Sequence, residues 1–312
     1  MPLSLAGKSL VSIADLTREE IYEVLRVAAA QKSGQISREE QLQIARGKTL
    51  AMLFDKPSLR TRVGFEVAMN QLGGHAIYVA PDDVKLGVRE TVSDAARVFG
   101  RTVSAISARI SSDAIIADLA QYSGIPVINA MSDREHPCQA LADMLTVVER
   151  KRRIDGVEIA WVGDGYNVCH SLLLICALLG AHLRVATPTV YEPHADVVAK
   201  AREITQATGG MLTLGNDPRA AVKGANVIYT DVWISAGQEE QATRRRRDFV
   251  GFQVNDELVA EAAEDVIVMH CLPAHRGEEI TDEVLDGPHS VVLDQAENRL
   301  HTQRALLSLM LT

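Results

Sequence analysis

Five short segments carry the side chains that chemistry needs, each just after an apolar, β-rich run. In Lys56-Pro57-Ser58-Leu59-Arg60-Thr61-Arg62, hydroxyls and guanidinium groups meet the free N–H groups of a helix start. That combination binds a phosphate or a similar anion; taken alone, it is equally an ordinary N-cap with solvated arginines. In His136-Pro137-Cys138-Gln139, an imidazole and an amide can donate to a substrate carbonyl, and His136 can equally be a cap. Gly163-Asp164-Gly165-Tyr166-Asn167 partly matches a dinucleotide fingerprint, but Val168 stands where the third glycine belongs. A tight turn that turns Asn167 toward a ligand is the better reading. Asp231-Val232-Trp233-Ile234-Ser235-Ala236-Gly237 offers a carboxylate for an ammonium group, or simply a turn. His270-Cys271-Leu272-Pro273 places a thiol where it can touch a reacting amine, or where it is merely buried. Arg109 and Arg299 are further cations for an anion site.

The elements that must hold these groups follow from the hydropathy pattern. β-rich runs alternate with helical periods, which predicts α/β architecture with parallel sheets. Lys48 to Phe54, Ile125 to Ala130, Glu158 to Gly163, Asn226 to Trp233 and Val266 to Pro273 read as strands, and Ser290 to Asp294 as a last short one. Thr61 to Leu72, a stretch from Pro137, Val168 to Leu179 and Arg299 to Leu311 read as helices. Ligands of open α/β sheets bind outside the carboxyl ends of the strands, where all five segments fall.

The chain has 312 residues, 47% hydrophobic and 23% charged, with net charge −9. The length suggests two domains. The acidic balance argues against nucleic acid as a main partner. The longest apolar run, Leu172 to Ala181, is too short for a bilayer span of about 20 residues. The N-terminal residues lack a signal-like basic and apolar pattern, and the four cysteines form no CxxC pair. A reducing cytoplasm is expected. Burial is the expectation for Cys169 and Cys176, and a solvated face for Arg244 to Arg247.

Taken in order, the stretches FDKPSLRTRVGFEVAMNQLGGHA, HPCQALAD, WVGDGYNVCHS, DVWISAGQEE, HCLPAHRGEE and AENRL resemble the aspartate/ornithine carbamoyltransferase family. The DxWxSxG and HCLP pair lies on its ornithine side, whereas aspartate-specific members share only the SxRT and HPxQ parts. The resemblance implies two doubly wound parallel-sheet domains with an active-site cleft between them and a C-terminal helix packed back on the first. It implies a carbamoyl phosphate domain over 1–147, completed by about 295–312, and an amino-acid domain over 148–294. It assigns carbamoyl phosphate to Ser58, Leu59, Arg60, Thr61, Lys85, Arg109, His136, Pro137, Cys138, Gln139, Cys271, Leu272 and Arg299. It assigns the amino acid to Asn167, Asp231, Ser235, Ala236 and Cys271, with Arg60, Arg109, His136, Asp231 and Cys271 as the catalytic set.

The implied reaction carbamoylates the δ-amine of L-ornithine, giving citrulline and phosphate, with no cofactor and no metal. The implied assembly is a homotrimer or a multiple of trimers, with no nucleic acid and no membrane. Leu59, Lys85, Tyr166 and Ala236 depart from residues common in the family. The rival readings are another amine acceptor such as putrescine or an acylated ornithine, a non-catalytic carbamoyltransferase-like subunit, and a dinucleotide-dependent oxidoreductase.

Overall fold

A computed structural model describes residues 3–80, 86–88, 90–235 and 237–312. The chain divides into two compact units, one of Met1–Leu145 with Glu297–Thr312, the other of Thr146–Ala296.

The first unit is built on a four-stranded parallel sheet in the order β2-β1-β3-β4. Its strands are β1 (Thr49–Phe54), β2 (His75–Val79), β3 (Ala105–Arg109) and β4 (Val127–Met131). β1 is a run of buried apolar residues, as a strand covered on both faces must be. Helix α1 (Arg18–Lys32) and helix α2 (Arg38–Ile44) both begin in capping boxes, Thr17 with Glu20 and Ser37 with Glu40. Helix α3 (Leu59–Gln71) follows β1, α4 (Val92–Thr102) precedes β3, and α5 (Asp113–Ser123) precedes β4. Strand order reverses between β1 and β3, where Phe54 pairs with Arg109. That reversal puts the residues after β1 beside the end of β3.

Helix α6 (Pro137–Lys151) contains the division between the units, which falls after Leu145. The second unit holds a five-stranded parallel sheet, β7-β6-β5-β8-β9. Its strands are β5 (Glu158–Val162), β6 (His182–Ala186), β7 (Met211–Gly215), β8 (Val227–Thr230) and β9 (Ile267–His270). Helix α7 (Asn167–Leu179) is buried almost throughout, as its apolar sequence requires. Helix α8 (Ala195–Thr208) packs beside it, and the short α9 (Pro218–Val222) leads into β8. Trp161 and Tyr229, edge to face at 5.0 Å, are fully buried between β5 and β8. Here the order reverses between β5 and β8.

After β8 come α10 (Ala242–Asp248), α11 (Asp256–Val259) and, beyond β9, α12 (Asp282–Leu285). The expected strand over Ser290 to Asp294 does not form. Ser290 makes a single bridge to Val268, and helix α13 (Val292–Leu311) starts two residues later. The bond from Val291 N–H to the Val268 carbonyl uses up the strand-like contact there. The polar residues Asp294, Gln295, Glu297 and Asn298 then continue at helical period. The strands expected over Asn226 to Trp233 and Val266 to Pro273 stop at Thr230 and His270, which leaves Asp231 and Cys271 on loops at the strand ends.

Candidate active site

The first unit gathers cationic and hydrogen-bond-donating side chains at the carboxyl ends of its strands. Ser58 caps α3 in an extended conformation, and its Oγ accepts from Thr61 N–H at 3.4 Å. The neighbouring loops are stitched together. Asp55 N–H donates to the Arg109 carbonyl at 3.0 Å, Ser111 N–H to Asp55 Oδ2 at 2.6 Å, and Asp133 N–H to the Ser111 carbonyl at 3.0 Å. Arg109 ends β3, and His136 immediately precedes α6, whose first residue is the buried Pro137.

Arg299, on α13, binds this group from the chain's far end. It is 3% exposed. Its Nη1 donates to Gln139 Oε1 at 2.7 Å and lies 3.4 Å from His136 Nε2; its Nη2 donates to Thr61 Oγ1 at 3.1 Å. A guanidinium can only donate, so His136 Nε2 is an acceptor and the ring proton belongs on Nδ1. Burial, with the charges of Arg299, Arg109 and Arg60, holds the His136 imidazole well below its usual value. It is therefore a neutral hydrogen-bond donor in a strongly positive field.

Three residues of the expected set have surroundings that narrow what they can do. Cys138 donates its thiol to the Asn129 carbonyl at 3.4 Å, and burial pushes that thiol up to about 12. It is a packing residue in this structure. Leu59 is 76% exposed, so only its backbone is in position to act near the helix start. Gln139 donates Nε2 to Asp143 at 2.8 Å within its own helix, leaving its second N–H as the donor for a ligand. Lys85 and Ala236 lie outside the described residues.

The second unit gathers a different group, also at strand ends. Gly163 sits at φ +142°, and at Gly165 a Cβ would fall 2.4 Å from Pro193 N and 2.5 Å from the Tyr191 carbonyl oxygen. The turn between β5 and α7 thus demands glycine. It delivers Asn167, 4% exposed, with Oδ1 accepting from Val168 N–H at 2.8 Å. Asp231 follows β8, and Cys271 follows β9. The Cys271 thiol donates to Asp231 Oδ1 at 2.9 Å, which also accepts from Val232 N–H at 2.8 Å. Burial raises the Asp231 carboxyl, with His270 and the Cys271 thiol pulling the other way. Ser235 pairs with Gln238 in a short turn, its N–H donating to Oε1 at 3.1 Å.

Cys271 and Leu272 belong to this second unit. Leu272, at φ +55°, donates its N–H to His270 Nδ1 at 2.9 Å, and His270 Nε2 donates to buried Glu279 at 3.0 Å. Among the described residues, Asp231, His270 and Cys271 form a group able to ligate a metal. Both His270 nitrogens are already committed to Leu272 and Glu279, so this arrangement is wired for orientation.

Two buried polar contacts escape a reading of sequence alone. His270–Glu279 is one. The other is Arg245, which the expected solvated face had put in water. It is 6% exposed and donates to Asp164 Oδ2 and to the Trp233 carbonyl, both at 2.7 Å. Helical period turns one arginine of the four inward, toward the Tyr191 ring at 4.7 Å. Burial raises Asp164 to about 6 against the pull of Arg245. Arg245 thereby ties the glycine turn to the loop that follows Asp231.

These two strand-end sites define a class of two-unit α/β transferase. The description "Aspartate/ornithine carbamoyltransferase, carbamoyl-P binding domain" matches residues 8–149, and the corresponding "Asp/Orn binding domain" matches residues 155–310. The chain belongs to the aspartate/ornithine carbamoyltransferase family. It is 53% identical over 312 residues to an ornithine carbamoyltransferase of Pyrococcus horikoshii, covering 100% of this chain and 98% of that one. It is equally 53% identical to a Pyrococcus furiosus protein named "Ornithine carbamoyltransferase, anabolic". The solved structure of ornithine carbamoyltransferase from Pyrococcus furiosus superposes with TM-score 0.95 at 52% identity, over 99% of this chain and 98% of that chain. The one from Thermus thermophilus gives 0.86 at 44%, over 98% and 99%.

Proposed function

We propose that this protein transfers the carbamoyl group of carbamoyl phosphate to the δ-amine of L-ornithine, releasing L-citrulline and phosphate. The observation that carries the reading is the field of Arg60, Arg109 and Arg299 around a buried, neutral His136. That field suits a small dianion beside a carbonyl. Ser58, the Leu59 backbone, Arg60, Thr61 and Arg109 take the phosphate, with the start of α3 adding its free N–H groups. Thr61, Arg109 and His136 face the carbonyl oxygen, where negative charge develops in the transition state. Gln139 and Arg299 hold the carbamoyl end, and Lys85 adds a point charge.

In the second unit, Asp231 takes the α-ammonium of ornithine, while Asn167, Ser235 and the Ala236 backbone take its polar end. Cys271, already bonded to Asp231, orients the δ-amine, and Leu272 presents its backbone at the same place. An alkyl amine has a pKa of about 10.4, so the site selects the neutral form. The amine lone pair attacks the carbamoyl carbon, the carbon–oxygen bond to phosphate breaks, and the amine proton passes to the departing phosphate. Much of the rate comes from positioning, worth up to about 7–11 kcal/mol in favourable systems.

Self-association as a homotrimer, or a multiple of trimers, belongs to the same proposal, as does action in the cytoplasm. Exposed Leu59, Val63 and Ile77 on the first unit supply apolar surface for such an assembly, and light scattering at three chain masses tests it. No helix among the described residues is long and apolar enough to cross a membrane. The test of activity is phosphate release with carbamoyl phosphate and, in parallel, L-ornithine, L-aspartate, putrescine and N-acetylornithine. Release and citrulline formation confined to ornithine support the proposal. Release with another amine overturns the acceptor, and silence in all four overturns the activity.

A further inference from the structure

A wide-mouthed depression of about 480 Å³ lies at the carboxyl ends of β6 and β7, away from Asn167, Asp231 and Cys271 in sequence and on other strands. Its size is that of a small-molecule site. Arg244 and Arg247, one helical turn apart on α10, line it together with Thr189 and Asn216. Both arginines reach Asp248, at 3.3 and 3.0 Å, so two cations share one carboxylate and a net positive charge remains. Pro188, Val190 and Phe252 supply an apolar wall. Val190 is β-branched, 68% exposed and held at φ +75°. A β-branched residue rarely adopts that conformation, and such strain collects at ligand sites.

We propose that this depression binds an organic phosphate monoester with an apolar body, and that it is an effector site. Two planar guanidinium forks, a hydroxyl and an amide match the three free oxygens of a phosphate better than the two of a carboxylate. The apolar wall takes the body of the ester.

The depression is joined to the ornithine loops by two short routes. Arg245, beside Arg244, holds Asp164 and the Trp233 carbonyl. Asp248 accepts from the Tyr191 hydroxyl at 3.0 Å, and the Tyr191 carbonyl accepts from Gly165 N–H at 2.9 Å. A phosphate that draws Arg244 and Arg247 away from Asp248 changes the charge facing Tyr191. It thereby biases the turn that delivers Asn167.

Phenyl phosphate is the probe, with inorganic phosphate and benzoate as the comparison arms, in equilibrium dialysis. The wild-type protein should show two classes of site for phenyl phosphate. Arg60→Ala should remove one class, and the double variant Arg244→Gln/Arg247→Gln the other, weakening it by about tenfold or more. Asn216→Asp, which breaks no ion pair, should weaken the same class by charge repulsion. Inorganic phosphate and benzoate should each bind that class more weakly, the first for want of a body and the second for want of an oxygen. With Arg60 intact, phenyl phosphate held below the level that competes with carbamoyl phosphate should shift KM for ornithine, and the double variant should lose the shift. In the Arg60→Ala background, a remaining site class that survives both the double variant and Asn216→Asp overturns the binding site. Binding at the depression with an unchanged KM overturns its role as an effector site. These readouts are separate from the identity of the acceptor, because the binding arm needs no turnover.

Discussion

Arg299 contacts Thr61, Gln139 and His136 at once while almost fully buried, so no neighbouring side chain can take its place. Arg299→Met leaves three buried acceptors without their donor, each costing about 1–3 kcal/mol. kcat/KM for carbamoyl phosphate should fall at least about a hundredfold. Steady-state kinetics within threefold of wild type would remove Arg299 from the anion site. Cys271 is a different case. Its thiol donates to the Asp231 carboxylate, which suits orientation of an amine and not covalent attack. Cys271→Ser, which keeps a donor to Asp231, should retain turnover at about a tenth or more of wild type. Mass spectrometry of the wild-type protein quenched in turnover should find no carbamoylated cysteine, and a trapped adduct would sink this role.

At the scale of elements, the β5-to-α7 turn has no room for a side chain at Gly165. Gly165→Ala drives a Cβ into the backbone of Tyr191 and Pro193. A forced shift of this kind costs about 1–3 kcal/mol. Ornithine KM should rise while the dissociation constant for carbamoyl phosphate stays put, and calorimetry of each ligand separates the two. The Arg245–Asp164 link makes a second prediction. Asp164 loses its charge as pH falls through about 6, and with it the pull on Arg245. Ornithine KM should show an inflection near that pH which Asp164→Asn lacks.

Much of this arrangement is legible in the sequence because strand ends carry their signature on both sides. An apolar run gives the strand, and Ser58, Pro137 or Gly163 gives the turn into the helix. Distant pairings are not legible. Nothing local distinguishes Arg245 from Arg244, Arg246 and Arg247, because only helix phase and the distant Asp164 decide which one is buried. Likewise Ser290 to Asp294 looks extended, since β-branching at Val291 and Val292 speaks for a strand, and only pairing with β9 shows that a single bridge suffices.

At the scale of the whole molecule, two buried groups give the stability opposite dependences on pH. His136 is held below its usual value, so its contribution is full above about 6.5 and is lost as pH falls below that. Asp164 is raised to about 6, so its contribution is full below about 4 and is lost as pH rises toward 6. Denaturant unfolding from pH 4 to 8 should therefore find that His136→Gln narrows its stability gap to wild type as the solution turns acid. Asp164→Asn should gain on wild type as pH climbs from 4 to 6. A gap for either variant that is flat across its window would refute that assignment.

The first unit is discontinuous: Glu297–Thr312 completes what Met1–Leu145 begins. During synthesis this sets an order of events. The second unit, Thr146–Ala296, is a single uninterrupted stretch and can collapse while the ribosome is still adding residues. The first emerges earlier yet waits, with Thr61, His136 and Gln139 lacking Arg299, until the last helix is made. The cluster around His136 is thus completed only after the whole of the second unit has been made. A chain that stops before α13 lacks Arg299 in this cluster, however much of it has already folded.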